Sequence, residues 1–111
     1  MTINYSDNVL EQVPTSSTPV YTAGTVNSAH IVYATVHNEG AAIAQITVNI
    51  VQNGNTVGVT NQYIKTNVAP GESKTLGALV GRILTTSDSV QATSSVANTL
   101  NLSVGVKEIT T

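Results

Sequence analysis

From residue 19 onward, apolar and polar side chains alternate in short runs that are broken by Gly, Asn and Pro. The clearest run is 43–52, where Ile46, Val48 and Ile50 alternate with Gln45, Thr47 and Asn49. A period of two sends successive side chains to opposite faces, so this run predicts a half-buried antiparallel strand. Residues 29–37 read the same way, with Val32, Ala34 and Val36 expected on the core face and Ile31, Tyr33 and Thr35 on the other. A last strand is expected over 99–109, where Leu100, Leu102, Val104 and Val106 alternate with Asn101, Ser103 and Gly105. Shorter strands are expected at 20–23, 56–66, 73–79 and 89–94, and Gly77 and Gly81 weaken the third of these.

The breaks carry turn chemistry. Asn53-Gly54 tolerates positive φ at both central positions and predicts a tight hairpin between the strands on either side. In Ala69-Pro70-Gly71-Glu72, Pro70 presets φ and Gly71 suits the positive φ of a type II turn. No window of eleven or more residues carries a helical period. The pattern therefore predicts an all-β fold, an antiparallel β-sandwich of about seven or eight strands, Ig-like or jelly-roll, over residues 19–111. Residues 1–18 show no sustained period, and Pro14 stands beside Thr15, Ser16, Ser17 and Thr18, so they predict an irregular N-terminal arm. Fully extended, such an arm reaches about 60 Å, far enough to lie on a neighbouring subunit.

Composition sharpens this picture. A chain of 111 residues makes one domain and buries about 60–70% of its unfolded surface. Thr, Ser and Asn fill about a third of it, which favours strands and turns. Edge strands recruit other chains unless they are blocked, and only 9% of the residues are charged, so burial of edges in an assembly is one natural remedy. The formal net charge is -2, and the four basic residues, Lys65, Lys74, Arg82 and Lys107, are dispersed, which argues against nucleic acid or an anionic membrane as partner. With no cysteine there is neither a disulfide framework nor thiolate chemistry. The polar start, MTINYSDNVLEQ, lacks a secretion signal, and no segment approaches the length of a membrane span. The chain begins at Met1 and is expected to be complete, to be made in the cytosol and to fold as a soluble unit.

Catalytic equipment is sparse. His30 and His37 are the only histidines, and an odd separation on a regular strand sends their rings to opposite faces, so no metal site is expected. His37 and Glu39 share parity, but one imidazole and one carboxylate are too few ligands. Asp88, in Thr86-Ser87-Asp88-Ser89, is expected to cap its own turn. A carboxylate pair for glycoside cleavage would have to come from Glu39, Glu72, Asp88 and Glu108, all near strand ends. No nucleophile elbow or phosphate loop is present. Tyr5, Tyr21, Tyr33 and Tyr63 are the only aromatic platforms for a sugar. No catalytic, metal or cofactor residue is assigned, and the chain is not expected to be an enzyme.

The order of pieces carries a resemblance: "VYTAG", "YATVHNEGAAIAQITVNIV", "VAPGESKTL", "ILTTSDSVQATSS" and "LNLSVGVKEIT". It resembles the small β-sandwich virion structural proteins of tailed bacteriophages. The matching positions are Tyr21, Thr22 and Ala23; Asn38; Gly71 and Glu72; Asp88, Ser89 and Val90; and Gly105, Val106, Glu108 and Ile109. Ser87 stands where a glycine is common in that family, and Lys107 is inserted before Glu108. The resemblance implies a capsid decoration or cement subunit in the virion. It would bind itself as a homo-oligomer, a trimer by preference, and the major capsid protein, through the arm and exposed sheet edges. The alternative is a receptor- or glycan-binding module of a phage head or tail fibre.

Overall fold

The computed structural model describes residues 1–25 and 28–111. The described residues form nine strands: β1 (Thr2–Leu10), β2 (Thr18–Thr22), β3 (Ser28–Asn38), β4 (Ala44–Val51), β5 (Gln62–Val68), β6 (Ser73–Thr75), β7 (Ile83–Leu84), β8 (Ser89–Ser94) and β9 (Leu100–Thr110). One sheet runs β1-β9-β3-β6, with β7 pairing farther along β3, and the other runs β2-β8-β4-β5. All pairings are antiparallel. With β6 and β7 counted as two pieces of one broken strand, this is the strand order of an eight-stranded jelly roll, which decides between the two sandwich types expected.

The core between the sheets is aliphatic. Leu102, Val104 and Val106 of β9 and Ala34 and Val36 of β3 face Ile46 and Val48 of β4 and Val90 and Ala92 of β8. Val13, Leu76, Leu79 and Leu84 fill the ends, and each fully buried side chain of this size contributes roughly 1.5–3 kcal/mol relative to exposure. The two longest alternating runs, β4 and β9, lie where their periods place them, because their apolar positions are the ones that face the core.

Five expectations are corrected. Residues 2–10, read as part of an irregular arm, form β1, in unbroken register with β9 from Thr2 opposite Thr110 to Leu10 opposite Leu102. Its alternation is inverted: Ile3, Tyr5 and Val9 point to solvent, and Ser6 and Asn8 take inward positions. Val32, expected in the core, is 42% exposed, while Ile31, assigned to the other face, is buried. A bulge causes this: Ile31 opposes Val106 and Tyr33 opposes the next residue, Gly105, which leaves Val32 without a partner and shifts parity by one.

The same bulge puts both histidines on one face, since His30 opposes Lys107 and His37 opposes Asn101, six positions apart on β9. The separation along β9 is about 20 Å at the usual rise, far beyond shared ligation. The fourth correction concerns the Asn53-Gly54 hairpin. A turn is present, with the Asn55 N–H donating to the Gln52 carbonyl at 2.9 Å and Gly54 at φ 87°, but the strands pair only from Asn49 and Gln62. Asn49 is buried, and its amide donates to the Gly58 carbonyl and the Asn61 Oδ1, which holds residues 52–61 as a longer loop. The strand expected over 73–79 stops at Thr75, and a 3₁₀ turn follows at Gly77–Leu79.

The Pro-Gly turn has its expected form. Gly71 lies at φ 74°, the Glu72 N–H donates to the Ala69 carbonyl at 3.0 Å, and the Glu72 carboxylate accepts the Ala69 N–H. Ser87 lies at φ 69° in the Thr85–Asp88 turn, a region costly for a residue with a Cβ. Ser87→Gly is therefore expected to raise stability by about 1 kcal/mol, seen as a thermal midpoint roughly 5 °C higher. An unchanged or lower midpoint would show that the turn is not strained.

Candidate functional site

The polar residues are placed first by what they bond. Glu108 points between the sheets at the end of β9 and accepts the Tyr21 hydroxyl at 2.5 Å, tying β9 to β2. Burial, then that bond and the carboxylate charge, push the Tyr21 phenol far above its ordinary pKa. Asp88 accepts the Asn53 N–H, the Thr85 N–H and the Thr85 hydroxyl, so it caps its own turn and also holds the 52–61 loop. Glu72 closes the Pro-Gly turn, and Glu39 is exposed. His37 shares a hydrogen bond with the Ser73 hydroxyl at 2.7 Å, and His30 lies 3.4 Å from the Ser28 hydroxyl. The carboxylates considered for glycoside cleavage are thus spread over separate turns and strand ends. Among the described residues no three His, Cys, Asp or Glu side chains converge on one point.

The sheet edges differ more sharply than the polar groups do. On one edge of the second sheet, β2 carries Pro19 and a bulge between Pro19 and Tyr21. On its other edge β5 carries Lys65 and a bulge at Tyr63, since Ile64 opposes Val48 and Gln62 opposes the next residue, Asn49. In the first sheet, the β6–β7 edge is broken into three and two residues. Lys74 lies opposite the inward Val36, and its Nζ reaches the Asn67 carbonyl at 2.7 Å and the Thr66 hydroxyl at 3.3 Å. Prolines, bulges, lysines and broken strands are the usual devices that keep an edge from pairing with another chain.

β1 has none of them. It is nine residues long, has no Pro, Gly, Lys or Arg, and carries one charge, Asp7. Its outer face shows Ile3 at 43%, Tyr5 at 71% and Val9 at 52% exposure. Behind it the outer face is flat and small: Gly105 lies between Asp7 on β1 and Tyr33 on β3, and a Cβ there would meet the Tyr33 ring at 1.9 Å. Tyr33 thus lies over Gly105 with its phenol toward Asp7, and the bond to that carboxylate holds the phenol above its usual pKa. An unpaired strand of this kind presents a row of N–H and C=O groups on which another strand can add. The period in Ile3, Tyr5 and Val9 was the available signal for it in the sequence.

Neither a protein family model nor a curated protein sequence matches the chain. Among solved structures it is similar to a subunit of the Bacillus endospore appendages, described as a novel family of disulfide-linked pili. The TM-score is 0.55 at 16% identity, over 99% of this chain and 90% of that one. A weaker likeness, with a TM-score of 0.40 at 11% identity, is to the infectious bursal disease virus VP2 subviral particle, over 98% of this chain and 32% of that one. At these identities the likeness is one of fold. The chain is an antiparallel jelly-roll sandwich whose one unblocked edge, among the described strands, is β1.

Proposed function

We propose that this chain is a non-enzymatic structural subunit that assembles with copies of itself, with β1 adding to a sheet edge of a neighbouring copy. The observation that carries this reading is the contrast between β1 and the other three edges, each of which has a blocking device. The fold likeness to an appendage subunit supports it. With no cysteine in the chain, contacts between copies involve no disulfide.

In its finer form the subunit decorates the exterior of a virion shell, binding itself and the major capsid protein as cement, as the sequence resemblance implies. Many weak contacts, multiplied over copies, then raise the cost of rupture. A second reading, a filament subunit, is favoured by the pilus-like fold. Both follow from one geometry, since a head-to-tail edge contact closes into a ring, a trimer for instance, when the rotation closes and runs on as a fibre when it does not.

Lysines at the exposed Ile3 and Val9 would put like charges on the edge without touching the core. The purified wild-type protein is expected to be oligomeric by native mass measurement, and Ile3→Lys/Val9→Lys to be monomeric with an unchanged circular dichroism spectrum. Electron microscopy then separates the finer readings: discrete oligomers that coat capsids support cement, and filaments support an appendage. A wild-type monomer at high concentration, or a variant that assembles normally, would overturn the proposal.

A further inference from the structure

At the end of the sandwich where β4 runs into the 52–61 loop, the two sheets leave a cleft of about 440 Å³ between that loop and residues 81–83. Its size is in the usual range for a small-molecule site, and its lining is mostly polar. Two of its members form a fixed frame. Asn61 Oδ1 accepts from Asn49 and from the Gly58 N–H, while its Nδ2 donates to the Thr56 carbonyl. Both carboxylate oxygens of Asp88 are occupied by N–H and O–H donors.

The other polar members are unspent. Among the described residues, the side chains of Gln52, Asn55 and Thr60 and the hydroxyl of Tyr63 have no protein partner, and all four residues are exposed to the cleft or its mouth. Arg82 is held from two sides: its Nε donates to the Ala78 carbonyl at 3.1 Å, and its guanidinium carbon lies 4.6 Å from the centre of the Tyr63 ring. A guanidinium fixed this way keeps its terminal N–H groups pre-ordered for a planar acceptor.

We propose that this cleft binds an acidic saccharide. Arg82 takes the sugar carboxylate, and Gln52, Asn55 and Thr60 exchange hydrogen bonds with ring hydroxyls. Amide and hydroxyl side chains can donate and accept, as vicinal hydroxyls require, whereas a guanidinium fork matches a carboxylate in shape and charge. Ile50 and Ile83, which also line the cleft, give the C–H face of a sugar ring an apolar surface. The frame bonds of Asn61 and Asp88 keep the loop from collapsing into the cleft, so little ordering cost is left for binding. This site is independent of β1 and goes beyond the assembly role.

The test is a backbone NMR titration with digalacturonate and with N-acetylneuraminate, set against maltose, acetate and triglutamate. It is run on the wild type and on Ile3→Lys/Val9→Lys, so that loss of assembly and loss of binding are read separately. Saturable shifts at Gln52, Asn55, Thr60, Tyr63 and Arg82 are expected with at least one acidic sugar and not with maltose. Arg82→Gln is expected to weaken that binding at least tenfold, and Asn55→Ala severalfold, with folding verified by circular dichroism. The proposal is overturned if neither acidic sugar gives a saturable shift below 10 mM. Equal shifts from acetate would reduce the site to a bare carboxylate contact, and stronger binding of triglutamate would assign it to acidic peptide.

Discussion

Asn38→Ala is expected to destabilise the protein by about 3 kcal/mol, which would lower the thermal midpoint by roughly 15 °C. Asn38 is fully buried at the end of β3. Its amide donates to the Ala42 carbonyl at 2.9 Å and the Val68 carbonyl at 2.8 Å, and its Oδ1 accepts the Gly40 N–H at 2.8 Å. Its backbone adds two more links, donating to the Glu72 carbonyl and accepting the Gly71 N–H. One residue therefore joins the end of β3, the loop to β4, the end of β5 and the Pro-Gly turn. Alanine would leave two carbonyls and one N–H without this partner, and a buried polar group left unsatisfied costs about 1–3 kcal/mol. Asn38→Asp should be no better, because a carboxylate would face the two carbonyl oxygens. Urea unfolding would show the loss as a lower midpoint at unchanged slope. A midpoint within a few tenths of a kcal/mol of wild type would mean that the site is hydrated or relaxes freely.

Asp88→Asn is expected to cost about as much at pH 7, and its effect carries a pH signature. Burial alone would raise the Asp88 carboxyl, but the Thr85 and Asn53 backbone N–H groups and the Thr85 hydroxyl outweigh it and hold the pKa below its usual value of 3.8. A depressed folded pKa contributes stability that is present above the unfolded pKa and is lost as pH falls through the folded one. The wild-type advantage over Asp88→Asn should therefore be constant from neutral pH down to about pH 4 and shrink below it. The asparagine would also place an N–H donor among three donors that need an acceptor. Stability curves for the two proteins that stay parallel through acid would contradict this assignment.

How far the sequence could be read depended on which way each apolar face points. β4 and β9 were legible because Ile46, Val48, Leu102 and Val104 face the core, so period and burial coincide. Gly71 was legible because its turn needs a local backbone geometry and nothing distant. β1 was missed for the opposite reason: Ile3, Tyr5 and Val9 alternate correctly but face solvent, and the strand is held by pairing with β9, more than 90 residues later in the chain. The bulge at Val32 had no local signal either. Ile31 and Val32 are both β-branched and suit either face, and what sets their register is Tyr33 lying over Gly105 of β9. The Asn53-Gly54 turn was read correctly as a turn but not as a long loop, because Asn49 and Asn61 organise that loop from outside the turn. Cleft residues come from 50–63 and 81–88, a meeting that no spacing along the chain announces.

Removal of residues 1–18, attractive while they read as an arm, would strip β1 from β9 and take Leu10 and Val13 from the core, so it would confound folding with assembly. Amide hydrogen exchange on the intact protein avoids that. In an isolated subunit, the β1 amides that point away from β9 have no strand partner and exchange quickly, while those bonded to β9 are protected. Exchange measured residue by residue at rising protein concentration is expected to show these outward β1 amides becoming protected in step with assembly, together with one edge of a neighbouring copy. Protection that leaves the outward β1 amides as fast in the assembled state as in the monomer would contradict assembly through this edge.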